Sequence, residues 1–194
     1  AATLQRLNDA FPNVTIHQSY GLSELGILRT KSRSSDSLWI KLGGRGYQTR
    51  VVDGVLHIKA ESSMVGYLNA ESPIDADGWF NTQDQVEVDG EWVRFKGRKS
   101  DIINVGGEKV YPTEVESVIM EVEQVLDATV SKEPHPMTGN IVVAEVRLAD
   151  GADEQTTFRQ IRKHCLSALE RYKVPVKIKS VQTERITERF KKKR

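Results

Sequence analysis

The sequence predicts an α+β protein in two parts, and three observations carry that expectation. Short β-like runs separated by turn dipeptides fill the stretch from Trp39 to Gly97, the pattern changes near Gly97, and two amphipathic helical repeats follow it. The first part is expected to be a mostly antiparallel β subdomain. The second is expected to be a small α+β domain with helices packed on a short sheet. The boundary falls between residues 96 and 97, giving parts 1–96, with the β subdomain from about 39, and 97–194. With 194 residues, 38% hydrophobic and 28% charged, the chain can bury a real core, which excludes disorder as a description of the whole.

The elements follow in order. Leu4, Leu7 and Phe11 lie three or four apart and predict a helix, Pro12-Asn13 breaks it, and Val14 to Ile16 reads as a strand. Tyr20-Gly-Leu-Ser-Glu24 then falls where an α/β protein presents a functional loop, and residues 31–37 read as polar and mobile. Val51-Val52 and Val55 to Ile58 flank Asp53-Gly54, a two-residue hairpin signal. Asp89-Gly90 gives a second, between Val86 to Val88 and Trp92 to Phe95.

Beyond Gly97, Pro112 suits the first position of a helix, and Val115, Val118, Ile119 and Val122 recur at i, i+3, i+4 and i+7, predicting about three turns. Val125 to Val130 reads as a strand, Pro134 to Asn140 as a turn-rich loop and Ile141 to Leu148 as a second strand. A second helix is expected with Ile161, Cys165, Ala168 and Tyr172 on one face, Lys173 to Pro175 ends it, and Val176 to Val181 is a third strand. No internal repeat is apparent.

Charge and cysteine usage narrow the function. Twenty-eight basic residues against 27 acidic ones give a net charge of +1, which makes no case for nucleic acid as the main partner. No apolar run approaches the ~20 residues of a membrane span. Cys165, the single cysteine, cannot form an internal disulfide, so a reducing, cytoplasmic compartment is expected, with Cys165 itself in the core. His17, His57, His135 and His164 have no metal-ligand spacing, and no zinc site is expected. The chain starts at Ala1 rather than Met, and is expected to be cut from something longer.

Three segments combine groups that suit a nucleotide. Tyr20 to Glu24 puts a ring that can stack on a base, a hydroxyl that can bond a phosphate and a carboxylate that can hold Mg²⁺ within five residues. Gly78-Trp-Phe-Asn-Thr-Gln-Asp84 offers a second carboxylate, able to accept from both hydroxyls of a ribose. Gly97 to Glu116 combines Arg98, an apolar pair, the flexible Gly106-Gly107 and a helix start, which suits a swivel between domains. Taken singly, these also read as an ordinary loop, a turn aspartate capping its own backbone, and an interdomain linker.

Their order and spacing together resemble the adenylate-forming enzymes, which include acyl-CoA synthetases, adenylation domains of peptide synthetases and firefly luciferase. Tyr20 to Glu24 is similar to the family's Tyr-Gly-x-Thr/Ser-Glu motif, Trp79 to Asp84 to its Trp-x-x-Thr-Gly-Asp motif, and Gly97 to Glu116 to its hinge and glycine loop. Gly66-Tyr-Leu-Asn69 matches the family's Gly-Tyr-x-Asn segment between the first two.

The resemblance implies roles. Tyr20, followed by Gly21, would stack on adenine, Ser23 would contact the phosphate region, and Glu24 would help bind Mg²⁺. Asp84 and Arg98 would hold the ribose. Gly106, Gly107 and Lys109 would lie on the loop that serves the second half-reaction, with Ser100 and Asp101 as the hinge. The substrates implied are ATP, a small carboxylate and coenzyme A, and AMP leaves once the acyl group moves to a thiol. A carrier protein is the alternative acceptor, and a degenerate homologue that binds nucleotide or a partner without catalysis is a third reading.

The family's tail lysine falls at Lys191, where the sequence runs Thr187-Glu-Arg-Phe-Lys-Lys-Lys-Arg194 and also reads as a solvated basic tail. Phe190 stands in place of the motif's glycine, Gln83 in place of glycine before Asp84, and Ser100 in place of the usual Asp or Lys. Nothing here resembles the family's phosphate loop. The 194 residues alone are therefore expected to be inactive.

Overall fold

A computed structural model describes residues 2–69 and 71–182, and the described chain divides into two compact units between Ser100 and Asp101. That division lies four residues beyond the boundary expected from the sequence, because the last strand of the first unit runs through Gly97 to Arg98.

The first unit opens with helix α1 (Ala2–Ala10) and continues in seven strands: β1 (Tyr20–Leu22), β2 (Gly26–Ser32), β3 (Ile40–Gly43), β4 (Tyr47–Val52), β5 (Val55–Ala60), β6 (Phe80–Asp89) and β7 (Trp92–Arg98). They form one sheet in the order β1-β2-β3-β7-β6-β5-β4, with every pairing antiparallel, as expected. One face buries Leu25, Leu28, Ile40, Leu56, Ile58, Phe80, Val86 and Val93. Each full burial of such a side chain contributes about 1.5–3 kcal/mol.

Both hairpin signals appear, with different turns. Asp53 and Gly54 are the two central residues between paired Val52 and Val55, and both take left-handed backbone, φ 51° and 75°. In the second hairpin Asp89 pairs with Trp92, so the turn is centred one residue later, on Gly90 (φ 59°) and Glu91. The expected strand at Val14 to Ile16 does not form. The amides of Ile16 and Gln18 donate to the hydroxyls of Ser35 and Ser32 instead of to a ladder. Those same contacts hold residues 31–37, which the sequence suggested were mobile, and Asn8 Nδ2 adds a bond to the Ser35 carbonyl.

The second unit contains a small hairpin, β8 (Ile103–Val105) and β9 (Glu108–Val110), then helix α2 (Pro112–Ile119), β10 (Val125–His135), β11 (Gly139–Leu148), helix α3 (Glu154–Ala168) and β12 (Lys177–Ser180). β10, β11 and β12 form a mixed sheet in that order, β10 antiparallel and β12 parallel to β11. Its core joins Val115 and Ile119 of α2 to Val130, Ala144 and Val146 of the sheet and to Ile161 and Cys165 of α3.

Pro112 occupies the first turn of α2, where a missing amide costs nothing. The helix has 8 residues rather than the expected three turns. After Met120, the Glu121 and Val122 amides donate three residues back, to Val118 and Ile119, which tightens and ends the helix while Val122 still packs on the core. Asp153 caps α3 by accepting from the Thr156 amide at 2.9 Å. No helix among the described residues is long and apolar enough to cross a membrane.

Candidate functional site in the first unit

Tyr20 and Glu24 sit on and beside the β1–β2 hairpin, not on a loop after a strand. Tyr20 pairs with Leu28 and Leu22 with Gly26, so Ser23, Glu24 and Leu25 make the turn. Leu25 is buried and anchors that turn in the core. Gly21 is required by close approach: a Cβ there would lie 2.9 Å from the Gly26 carbonyl oxygen and 3.0 Å from Cα of Ile27.

Asp84 lies on β6 directly opposite Arg98 on β7. The strand alternation turns Thr82, Asp84 and Val86 inward, and Asp84 is buried. The Thr82 hydroxyl donates to the Leu56 carbonyl at 2.7 Å and accepts from the Asp84 amide at 3.1 Å, which fixes the backbone beneath the carboxylate. The Tyr20 hydroxyl donates to Oδ2 of Asp84 at 2.6 Å, and Arg98 Nε lies 3.5 Å from Oδ1. The Tyr20 ring stacks on Phe95 with centroids 4.4 Å apart. Burial and then the Asp84 hydrogen bond and charge push the Tyr20 phenol well above its ordinary range, so it remains a donor.

Between Thr82 and Asp84, Gln83 has φ 61°, a left-handed conformation that side chains rarely take. Its amide donates to Asn81 Oδ1 at 3.0 Å, a local turn that helps hold it there. The position at which the resembled motif carries glycine is thus one whose backbone favours glycine.

Glu24 is held on both carboxylate oxygens, by the Tyr67 hydroxyl on Oε1 at 2.7 Å and by the Ser23 hydroxyl on Oε2 at 2.9 Å. Partial burial pushes its carboxyl upward. The hydrogen bonds from Tyr67, its own amide and Ser23, with the positive charge of Arg98, outweigh that effect and leave it below the usual range. Glu24 is therefore an anion at neutral pH.

The first unit thus brings together Tyr20, Gly21, Ser23, Glu24, Asp84 and Arg98 from segments far apart in sequence. Gly106, Gly107 and Lys109 belong to the second unit. The two glycines turn the β8–β9 hairpin with φ 60° and 95°, and Lys109 is exposed on β9. The hairpin tip is tied to its own unit by Gly106 N–H donating to the Thr138 carbonyl at 2.8 Å and Asn140 Nδ2 to the Asn104 carbonyl at 3.0 Å. Ser100 and Asp101 lie in a short helical turn, Lys99–Asp101, where the units divide. Lys191 and Phe190 lie outside the described residues.

Sequence reasoning gave no role to Thr82, Phe95 or Tyr67, although Thr82 and Tyr67 fall inside two of the recognised segments. Glu116 was also missed. It is buried on α2 and accepts from the Val130 amide at 2.9 Å, joining the helix to β10.

The donor set bears on which groups fit. Asp84 and Arg98 offer an acceptor and a donor side by side, as a pair of ribose hydroxyls requires. Among the described residues no group of three or more His, Cys, Asp or Glu side chains could cage a metal. One carboxylate, Glu24, suits a Mg²⁺ held mainly by phosphate oxygens and water.

Comparison with known proteins gives the chain's likenesses. Residues 114–191 match the AMP-binding enzyme C-terminal domain. The chain is 32% identical to 2-succinylbenzoate–CoA ligase of Enterococcus faecalis over 85% of its length, and 36% identical to a long-chain-fatty-acid–CoA ligase of Mycobacterium tuberculosis over 87%. It spans 37% of the length of each of these relatives. The ATP-bound crystal structure of MatB from Rhodopseudomonas palustris superposes with a TM-score of 0.72 at 26% identity, over 88% of this chain and 37% of that one.

Proposed function

Because this chain belongs to the adenylate-forming (AMP-binding) enzymes, we propose that it forms part of an ATP-dependent acid–thiol ligase. Such an enzyme joins a small carboxylate to AMP with release of pyrophosphate, then passes the acyl group to a thiol, here coenzyme A. The observation that carries the reading is Asp84, a buried carboxylate fixed by Tyr20 and Thr82 with Arg98 opposite it.

In this reading Asp84 and Arg98 hold the ribose, and Tyr20, its plane set by Phe95, offers its ring to adenine. Ser23 faces the phosphate region. Glu24 would help hold Mg²⁺, which when bound would neutralise phosphate charge. Gly106, Gly107 and Lys109 serve the thiol-transfer half-reaction, Ser100 and Asp101 form the swivel, and Lys191 supplies the cation that offsets charge developing at the α-phosphate. Cys165 is wholly buried, and burial pushes its thiol up to about 11, which keeps it an inert core side chain; a lone cysteine suits a reducing, cytoplasmic setting.

The test is ATP–pyrophosphate exchange by a longer ligase carrying this chain. Asp84→Ala is expected to reduce exchange by roughly 10–100-fold, the loss of a charge-assisted hydrogen bond. Exchange equal to the parent overturns the assignment. Offering free CoA against a phosphopantetheinyl carrier then separates the two acceptors.

A further inference from the structure

Tyr67 has no role in the reading above, yet its hydroxyl donates to Glu24 Oε1 at 2.7 Å across 43 positions of sequence. A backbone bond runs alongside, from the Met64 amide to the Glu24 carbonyl at 2.9 Å. Residues 64–67 are thus folded back onto the hairpin turn at Glu24 by two hydrogen bonds.

Packing does not explain why Tyr67 is there. Its neighbours Val65 and Leu68 are fully exposed, a Cβ on Gly66 would meet nothing within 4 Å, and Tyr67 itself is 44% exposed. The hydroxyl is where its interaction lies. With Ser23 on the other oxygen, Tyr67 fixes the plane of the carboxylate. An ionised carboxylate oxygen has more than one acceptor direction, so Oε1 can take the phenol and still face a cation.

Resting on the reading of Glu24 as the carboxylate beside the nucleotide's cation, we propose that Tyr67 is a positioning residue that orients Glu24 for that cation. Outer-shell partners of this kind commonly change metal affinity by roughly 10–100-fold when removed.

The experiment uses Mn²⁺ as the probe. Water-proton relaxation reports Mn²⁺–ATP binding to a longer ligase carrying this chain, with Tyr67→Phe and Glu24→Gln compared. Tyr67→Phe is expected to weaken Mn²⁺–ATP binding roughly tenfold and Glu24→Gln to weaken it further. If both variants bind as the parent does, the reading of Glu24 fails and takes the inference with it. If Glu24→Gln weakens binding and Tyr67→Phe does not, the role of Tyr67 alone is overturned. ATP affinity of the same ligase without divalent cation adds a readout that a general structural defect would also lower. Tyr67→Phe is expected to leave that cation-free affinity unchanged, and an equal loss with and without Mn²⁺ overturns the proposal.

Discussion

The Tyr20 hydroxyl and the Asp84 carboxylate, 64 positions apart in sequence, are joined by a 2.6 Å hydrogen bond that ties the edge hairpin to the interior strand β6 of the seven-stranded sheet. Deleting that hydroxyl leaves a buried carboxylate short of a donor. Tyr20→Phe is expected to cost about 1–3 kcal/mol in urea unfolding. The pH dependence has a definite sign. A phenol whose folded pKa is raised contributes stability fully present below its unfolded value of 10.0 and lost as pH rises above it. The parent should lose stability above about pH 10 more steeply than Tyr20→Phe, and parallel profiles would remove Tyr20 as the cause.

Gln83 makes a second comparison possible. Glycine relieves the left-handed backbone but adds unfolded-state entropy, so Gln83→Gly should melt at or slightly above the parent, a gain of up to about 1 kcal/mol. Gln83→Val, β-branched in the same conformation, should lose about 1–3 kcal/mol. A melting temperature for the valine variant equal to the parent's would show that the site relaxes without cost.

At Gly21 the obstacle is backbone on both counts, the Gly26 carbonyl and the Ile27 Cα. Gly21→Ala must spread the β1–β2 hairpin and is expected to cost about 1–3 kcal/mol. The sharper measurement is amide exchange, which should rise at Tyr20 and Leu28 while β10 and β11 stay protected. Uniform loss of protection would contradict a local effect.

Lys173 is the corresponding tie in the second unit, buried between Glu114 and Glu170 at 2.8 Å each. Burial disfavours its charge, but the two carboxylates more than compensate and raise its pKa. Because both partners are well exposed, Lys173→Met should cost about 1–2 kcal/mol, less than a fully buried pair. The stabilisation is present below the unfolded pKa of 10.5 and fades as pH rises past it, so parent and variant should converge in strong alkali.

The chain spans 37% of the length of the two ligases compared above, and the expectation that these 194 residues alone do not adenylate has a direct assay. ATP–pyrophosphate exchange should match a heat-killed control. Exchange above that control would overturn the expectation.

What the sequence disclosed follows from what is local. Asp53-Gly54 and Pro112 announce their turn and helix start through backbone chemistry that needs no partner. The strand expected at Val14 to Ile16 failed because a strand is completed by its neighbour, and here serine hydroxyls took the amides. The second hairpin turn moved by one residue on a local ground, with Gly90 rather than Asp89 taking the positive φ. In the candidate site, residue types and order singled out Tyr20, Glu24, Asp84 and Arg98, of which the fold joins Tyr20, Asp84 and Arg98. Their partners were hidden because the Tyr67–Glu24 and Tyr20–Phe95 contacts exist only after the chain has folded.

The bond from Gly106 N–H to the Thr138 carbonyl has a mechanical meaning. A hairpin pinned to the neighbouring hairpin has no wrist of its own: it is a stylus fixed to the body that carries it. On the proposal that Ser100 and Asp101 form the swivel, a rotation there would carry Gly106 and Gly107 along with Thr138. Cutting the pin, by a proline at Gly106 for instance, would turn the stylus into a tassel, and its arrival anywhere would become a search rather than a stroke.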